Sequence, residues 1–346
     1  MDSSLLRQLE SELDLSRDQG HAYSAGAEHT GRWNDWFSRG QRSLVRDDGR
    51  LVPEVLRDFR RLRVFTGDNP VRDPSLRNPL NLIHPRRRGE RALLRRCLEI
   101  LEECGYADLL RRYPSPAVGN PHLFEHKGYR YTHRWFKHIY SLGLLRKTLG
   151  DRLAPGFTAV DVGCAYGIFS SLLQQEHPGS HHVLVDLPEQ LLLASYFLRQ
   201  YRPGARIAGA RELSSQPSIS RSFLEDFDFV LMPPPYYERL APGSVDLVTS
   251  FAALGELKRS FFDYYVNAPV FRSARFLMTA NPVNSAGMFS DSDVTVLDYP
   301  IWDPAKRIHF DVARAFFHPY SYPKARSPFS YELKQFHVFF EYVGEM

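Results

Sequence analysis

From residue 157 onward the chain alternates between two hydrophobic patterns. Short runs rich in β-branched and apolar residues, TAVDVG (158–163), HHVLVDL (181–187), DFVLMP (228–233), SVDLVTS (244–250) and ARFLMTAN (274–281), predict strands. Between them, GIFSSLLQQE (167–176), PEQLLLASYFLRQY (188–201) and ELKRSFFDYYVNAPVF (256–271) space their apolar residues as helices do. Pro188 opens the second of these at its first turn, where a missing N–H costs nothing. A late aromatic run, YELKQFHVFFEYV (331–343), suits one more strand. Strands alternating with helices predict an α/β fold, a mostly parallel, doubly wound sheet. Such sheets bind ligands beyond the carboxyl ends of their strands, where the strand order reverses.

The first 120 residues lack strand alternation and read as helical and irregular. Ser3 is placed to cap a helix with Leu5, Leu6, Leu9 and Leu13 on one side. Residues 66–90 hold four prolines and predict a long loop. Leu94, Cys97, Leu98, Leu101 and Cys104 then form the stripe of an amphipathic helix. A second loop spans YPSPAVGNPHLFEHKGY (113–129) and leads to a helix near 131–149, with Trp135, Phe136, Ile139 and Tyr140 as its apolar stripe and Arg134, Lys137 and His138 interleaved. At about 150 residues per domain, 346 residues suggest two units. We place the boundary near 120: a helical N-terminal domain over 1–120, serving as an acceptor cap or in oligomerisation, and an α/β domain over 121–346.

Composition narrows the classes. Hydrophobic residues at 43% and charged residues at 24% are globular values, which argues against disorder. No apolar run reaches the ~20 residues of a membrane helix, and MDSSLLRQLESELD carries acids where a secretory signal would be basic and then apolar. The three cysteines make no disulfide framework. A cytoplasmic protein without a membrane partner is expected. Arg86, Arg87, Arg88, Arg91, Arg95 and Arg96 form the densest basic cluster, but a net charge of +4 is a poor nucleic-acid footprint, and a solvated helix face is the simpler reading. A homo-oligomer is compatible with the sequence.

The candidate chemistry lies in Asp161-Val162-Gly163-Cys164-Ala165-Tyr166-Gly167, between a strand and a helix. Small residues at 163, 165 and 167 let a ligand approach the backbone. The spacing is not the Gly-x-Gly-x-x-Gly of dinucleotide folds, and Asp161 just before it suits a cationic ligand better than a pyrophosphate. Asp186, at the end of the next strand, is where an acid takes the two ribose hydroxyls of an adenosine.

With DVGCAYG and VLVDLP in this order, the chain resembles the class I S-adenosylmethionine (SAM) methyltransferases. Over about 119–285 it is similar to the sugar O-methyltransferase family, which tends to show an acid-Gly-aromatic-Gly loop, an Asp-Leu-Pro and a Ser-Phe-x-x-x-Glu segment. Ala165 stands where that loop has its middle glycine, and one extra residue separates Phe251 from Glu256. The resemblance implies a Rossmann-like sheet and SAM as cofactor, leaving S-adenosylhomocysteine (SAH) as product. It implies that Gly163, Cys164, Ala165 and Gly167 frame the methionine part, with Asp161 near its amino group. Asp186 would hold the ribose and Leu187 flank the adenine, with Met232 and Pro233 beside it. Ser250 and Phe251 would face the methionine end and the acceptor. The acceptor implied is a hydroxyl on a small molecule or glycan, most simply a sugar. O- or N-methylation of a non-sugar natural product is the alternative, and a non-catalytic partner subunit of the same fold a further one.

A sugar hydroxyl is weakly acidic, so a base is useful. Glu256 is the first candidate, just past the fourth strand; its other reading is an exposed first-turn carboxylate. His133 and His138 follow, against packing or surface roles. Tyr131 and Arg134 are candidates for the SAM carboxylate or the acceptor, and Asn281 for the acceptor or for capping a turn. Cys164 has no partnered base and reads as a small loop residue. His122 with His126, and His309 with Asp311, have ligand-like spacing without a convincing third ligand, so a divalent metal is compatible with the sequence and not predicted. The aromatic, turn-rich stretch FFHPYSYPKARSPFSY (316–331) could close over an acceptor as a lid.

Overall fold

The computed structural model describes residues 3–24, 44–46, 49–62, 68, 85–285, 293–316, 321–323, 331–333 and 338–346. Most of the proposed lid falls outside them, as does most of the proline-rich loop. The N-terminal part contains α1 (Ser3–Ser24), α2 (Pro53–Leu62), α3 (Pro85–Cys104) and α4 (Ala107–Arg112). Gly105, at φ +76°, separates the last two helices. Where a loop was expected, β1 (Phe124–His126) and β2 (Tyr129–Tyr131) form a hairpin. Its tip, Lys127-Gly128, takes φ +50° and +78°, the left-handed pair that suits the twist of a tight hairpin.

The helix α5 (His133–Thr148) starts at Thr132, whose hydroxyl accepts the Trp135 N–H at 3.2 Å. The α/β part then runs β3 (Thr158–Val162), α6 (Ile168–Glu176), β4 (His181–Val185), α7 (Pro188–Tyr201), β5 (Ile207–Ala208), α8 (Ala210–Ser214), α9 (Arg221–Glu225), β6 (Phe229–Met232) and β7 (Leu247–Phe251). It continues with α10 (Arg259–Asn267), α11 (Pro269–Ser273), β8 (Phe276–Pro282), β9 (Arg307–Val312), β10 (Ser321–Pro323), β11 (Tyr331–Leu333) and β12 (Phe339–Glu345). The single helix expected over 256–271 is divided at Pro269, which cannot donate to the preceding turn. The late aromatic run likewise divides, β11 pairing with β10 and β12 entering the main sheet.

That main sheet has the order β5-β6-β4-β3-β7-β8-β12-β9. The first six strands are parallel, and β12 is antiparallel to both β8 and β9. Alternation along each strand divides the core. Val160, Val183, Val230, Val248 and Leu277 belong to one buried cluster, and Ala159, Leu184, Leu231, Leu247 and Met278 to the other. A sheet covered on both faces with its order reversing at β3 is the Rossmann-like α/β arrangement.

The second cluster continues without a break into the N-terminal helices through Leu9, Leu56, Leu98 and Leu101. The expected boundary near 120 is therefore not a boundary between separate cores. Polar ties cross it too: Arg17 pairs with Glu189 at 3.2 Å and Arg199 with Glu12 at 2.8 Å. No helix among the described residues is long and apolar enough to cross a membrane.

Candidate functional site

The loop after β3 lies at the reversal of strand order. Gly163, Ala165 and Gly167 take φ +79°, +52° and +78°, so the chain turns sharply from strand to helix. At Gly163 the need is also spatial, because a Cβ there would lie 2.1 Å from the Cβ of Ala253 in the turn after β7. Two neighbouring strand ends thus meet at a glycine.

Asp186 holds this loop. One carboxylate oxygen accepts the Ala165 N–H at 2.7 Å and the other the Leu187 N–H at 2.8 Å. A carboxylate has about four acceptor positions, so among the described residues each oxygen keeps one lone pair. Burial pushes the carboxyl up to about 7, against the pull of those two N–H groups. Leu187 is half-buried and precedes α7.

Asp161 lies beneath the loop, accepting the Thr249 hydroxyl at 2.8 Å and the Ser170 hydroxyl at 3.4 Å. It joins β3 to β7 and α6, and burial raises it to about 7 as well. Cys164 is buried, and burial holds its thiol well above the ordinary range, consistent with an inert loop residue. Met232 is wholly buried in the core of the opposite face, and Pro233 begins the turn after β6.

The turn after β7 is organised by Asn281, whose amide oxygen accepts the Ala253 and Gly255 N–H groups at 3.0 and 3.1 Å. Its NH₂ donates to the Ser250 carbonyl and the Thr279 hydroxyl. Of its two sequence readings the structure gives the cap. Ser250 is fully buried, its hydroxyl accepting the Leu254 N–H. Glu256 ends this turn and is buried.

Phe251 forms an aromatic floor with Phe169 (4.6 Å between centroids) and Phe316 (5.8 Å, nearly parallel). Helix α5 faces this floor. His138 meets Phe251 edge-on at 6.1 Å, and its Nδ1 has no hydrogen-bond partner. Burial and the neighbouring Arg134 and Lys137 hold it well below the usual imidazole range, hence neutral. Lys137 lies over the Phe316 ring at 5.4 Å. Arg134 lies over the Tyr166 ring at 5.6 Å, and its charge favours the ionised form of Asp186. His133 is buried and stacks on Phe136. Tyr131 is fully buried with its hydroxyl on the Leu94 carbonyl at 2.5 Å, so it is engaged by α3.

Sequence reasoning missed two parts of this arrangement. One is Lys137, present in the helix pattern only as an interleaved polar residue. The other is a buried network behind the loop, where the Tyr166 hydroxyl donates to Asp68. Asp68 also receives Arg60 Nε at 2.8 Å and the Thr132 hydroxyl at 3.0 Å. Arg60 completes its donors on Ser115 and the carbonyls of Pro116 and Val118.

The chain is similar in part to solved methyltransferase structures. Phosphoethanolamine N-methyltransferase 2 of Haemonchus contortus, in complex with SAM, is 16% identical over 41% of this chain and 27% of its own, with a TM-score of 0.28. The mitomycin 7-O-methyltransferase MmcR is 12% identical over 62% and 57%, with a TM-score of 0.31. Magnesium protoporphyrin IX methyltransferase (ChlM) of Synechocystis PCC 6803, with bound SAM, is 13% identical over 59% and 78%, with a TM-score of 0.36. The chain thus spans about a quarter of the first of these proteins and little more than half of the second. No protein-family profile and no curated protein matches it. At these scores the likeness is partial.

Proposed function

We propose that the chain is a class I SAM-dependent methyltransferase acting on a hydroxyl of a sugar, in a glycan, a nucleotide sugar or a glycosylated metabolite. The observation that carries this reading is Asp186, whose two oxygens clamp the glycine loop at the sheet's reversal point and each keep a lone pair. Two such acceptors side by side suit the vicinal hydroxyls of a ribose. The remaining groups fit the rest of the cofactor. Arg134, which forms no ion pair among the described residues, suits its carboxylate, while the field of Asp161 and Asp186 suits its cationic amino and sulfonium groups.

When bound, SAM supplies a methyl group already activated on a sulfonium. The protein's share is to align the acceptor oxygen and receive its proton. Phe251 and Phe316, buried against each other at the end of β7, form an apolar floor beneath the place where an acceptor would be received. His138 offers the acceptor hydroxyl a neutral ring nitrogen, and Glu256 a buried carboxylate. In this reading α3 and α5 form the wall of the acceptor side.

Calorimetric titration with SAH tests the cofactor, and methyl-labelled SAM incubated with small-molecule and glycan fractions of the source cells tests the acceptor. Binding, followed by label in monosaccharides released by acid, is expected. Label in an aglycone would overturn the sugar, and absence of SAH binding would overturn the cofactor.

A further inference from the structure

We propose that Lys137 is the general base that takes the proton from the acceptor hydroxyl; this rests on the methyl-transfer reading above. Its ammonium nitrogen lies over Phe316, which stacks on the strand-end Phe251, so it stands beside the carboxyl end of β7, the side on which such sheets bind ligands. No carboxylate or carbonyl engages it among the described residues, and its stem is half-buried.

The charged and titratable groups around it come from three elements. Arg134 and His138 flank it on α5, Cys97 faces it from α3, and Glu256 faces it from the turn after β7. Burial and Arg134 push the amine down to about 8, while Cys97 and Glu256 oppose them. A base works best when its pKa lies near the working pH. His138, held far below that range, is a weaker proton acceptor.

Composition adds an independent argument. The chain has 37 arginines and only seven lysines. A guanidinium stays protonated in any protein environment, whereas a buried amine can lose its proton. Beside the end of β7 this arginine-rich chain carries the cation that can serve as a base.

In the step proposed, the acceptor O–H gives its proton to neutral Lys137 Nζ while the oxygen lone pair bonds to the methyl carbon. The electron pair of the broken carbon–sulfur bond stays on sulfur, leaving the SAH thioether. The ammonium of the half-buried Lys137 then returns its proton to water.

The test compares wild type with Lys137→Met and Lys137→Arg. SAH affinity is expected to stay within about threefold in both variants, which also checks that they fold. Methyl transfer from labelled SAM to the cell fractions is expected to fall about 100-fold or more in both. The wild-type rate is expected to rise with pH to a plateau above about 8. Transfer by Lys137→Arg at more than a third of the wild-type rate would make the role one of charge and overturn the proposal. On SAH-bound protein with ¹³C-dimethylated lysines, the Lys137 signal, assigned by its loss in Lys137→Arg, is expected to titrate near 8, and lower still in Glu256→Gln. A midpoint above 10 would overturn the proposal even if no fraction contained an acceptor. Failure of wild type to bind SAH would instead remove the methyl-transfer reading, and this inference with it.

Discussion

The Arg60–Asp68 pair behind the glycine loop yields the sharpest stability prediction. Both side chains are almost fully buried, with Arg60 Nη2 2.7 Å from the Asp68 carboxylate. Arg60→Met keeps much of the stem's packing and removes every donor. Asp68 is then left buried without its cation, holding the Tyr166 and Thr132 hydroxyls among the described residues. Breaking a buried pair from one side typically costs about 3–5 kcal/mol, because the surviving charge is uncompensated. The carbonyls of Pro116 and Val118 also lose their donor, which places the expectation in the upper half of that range. Asp68→Asn in the same background removes the orphaned charge, so the double variant should recover about 2 kcal/mol or more of the loss. Urea unfolding followed by tryptophan fluorescence reads both numbers, Trp135 being buried 5.9 Å from the guanidinium. A cost below about 1 kcal/mol for Arg60→Met, or no recovery in the double variant, would refute the reasoning from burial.

Further outcomes follow from other parts of the site. Asp186→Ala should weaken SAH binding roughly 30-fold or more, since two hydrogen bonds to a charged acceptor and the loop clamp are lost together; calorimetry reads it. Gly163→Ala puts a Cβ onto Ala253 at a left-handed φ, and should cost about 1–3 kcal/mol in thermal unfolding. Asp161 has a folded-state carboxyl raised from 3.8 to about 7, so its contribution is favourable below pH 3.8 and is lost as pH rises to about 7. The melting temperature of Asp161→Asn relative to wild type should therefore rise between pH 4 and pH 8; a constant difference would contradict the burial argument. Native alkylation should reach half-buried Cys104 well before Cys97 or Cys164, as a mass-spectrometric time course would report.

How much of this was legible depended on whether a signal was local. Strands β3, β4, β6, β7 and β8 and the glycine loop follow from periodicity and from residues close together in the chain, whereas the two-residue β5 is too short to show a period. Asp186 stood out because an acid ending the second strand is a local pattern. The β1–β2 hairpin was hidden because Lys127, rather than Asn or Asp, precedes its turn glycine. Lys137 was hidden for a different reason: its environment is made by Phe316 and Glu256, from distant parts of the chain. Asp68 lies in a segment whose prolines announce a loop, and nothing nearby foretells that Arg60 and Tyr166 converge on it.

The placing of β12 between β8 and β9 has a consequence for biosynthesis. Residues 339–345 pair with β8 on one side and β9 on the other, so neither earlier strand can complete its ladder before they arrive. While the chain emerges from the ribosome, the seven-residue edge of β8 stays open during translation of all the residues between. An open, apolar strand edge is a template for pairing with other chains. The nascent chain is thus exposed to misassociation at this edge until residues 339–345 have been made, and closure of this part of the sheet waits on a contact between segments far apart in sequence.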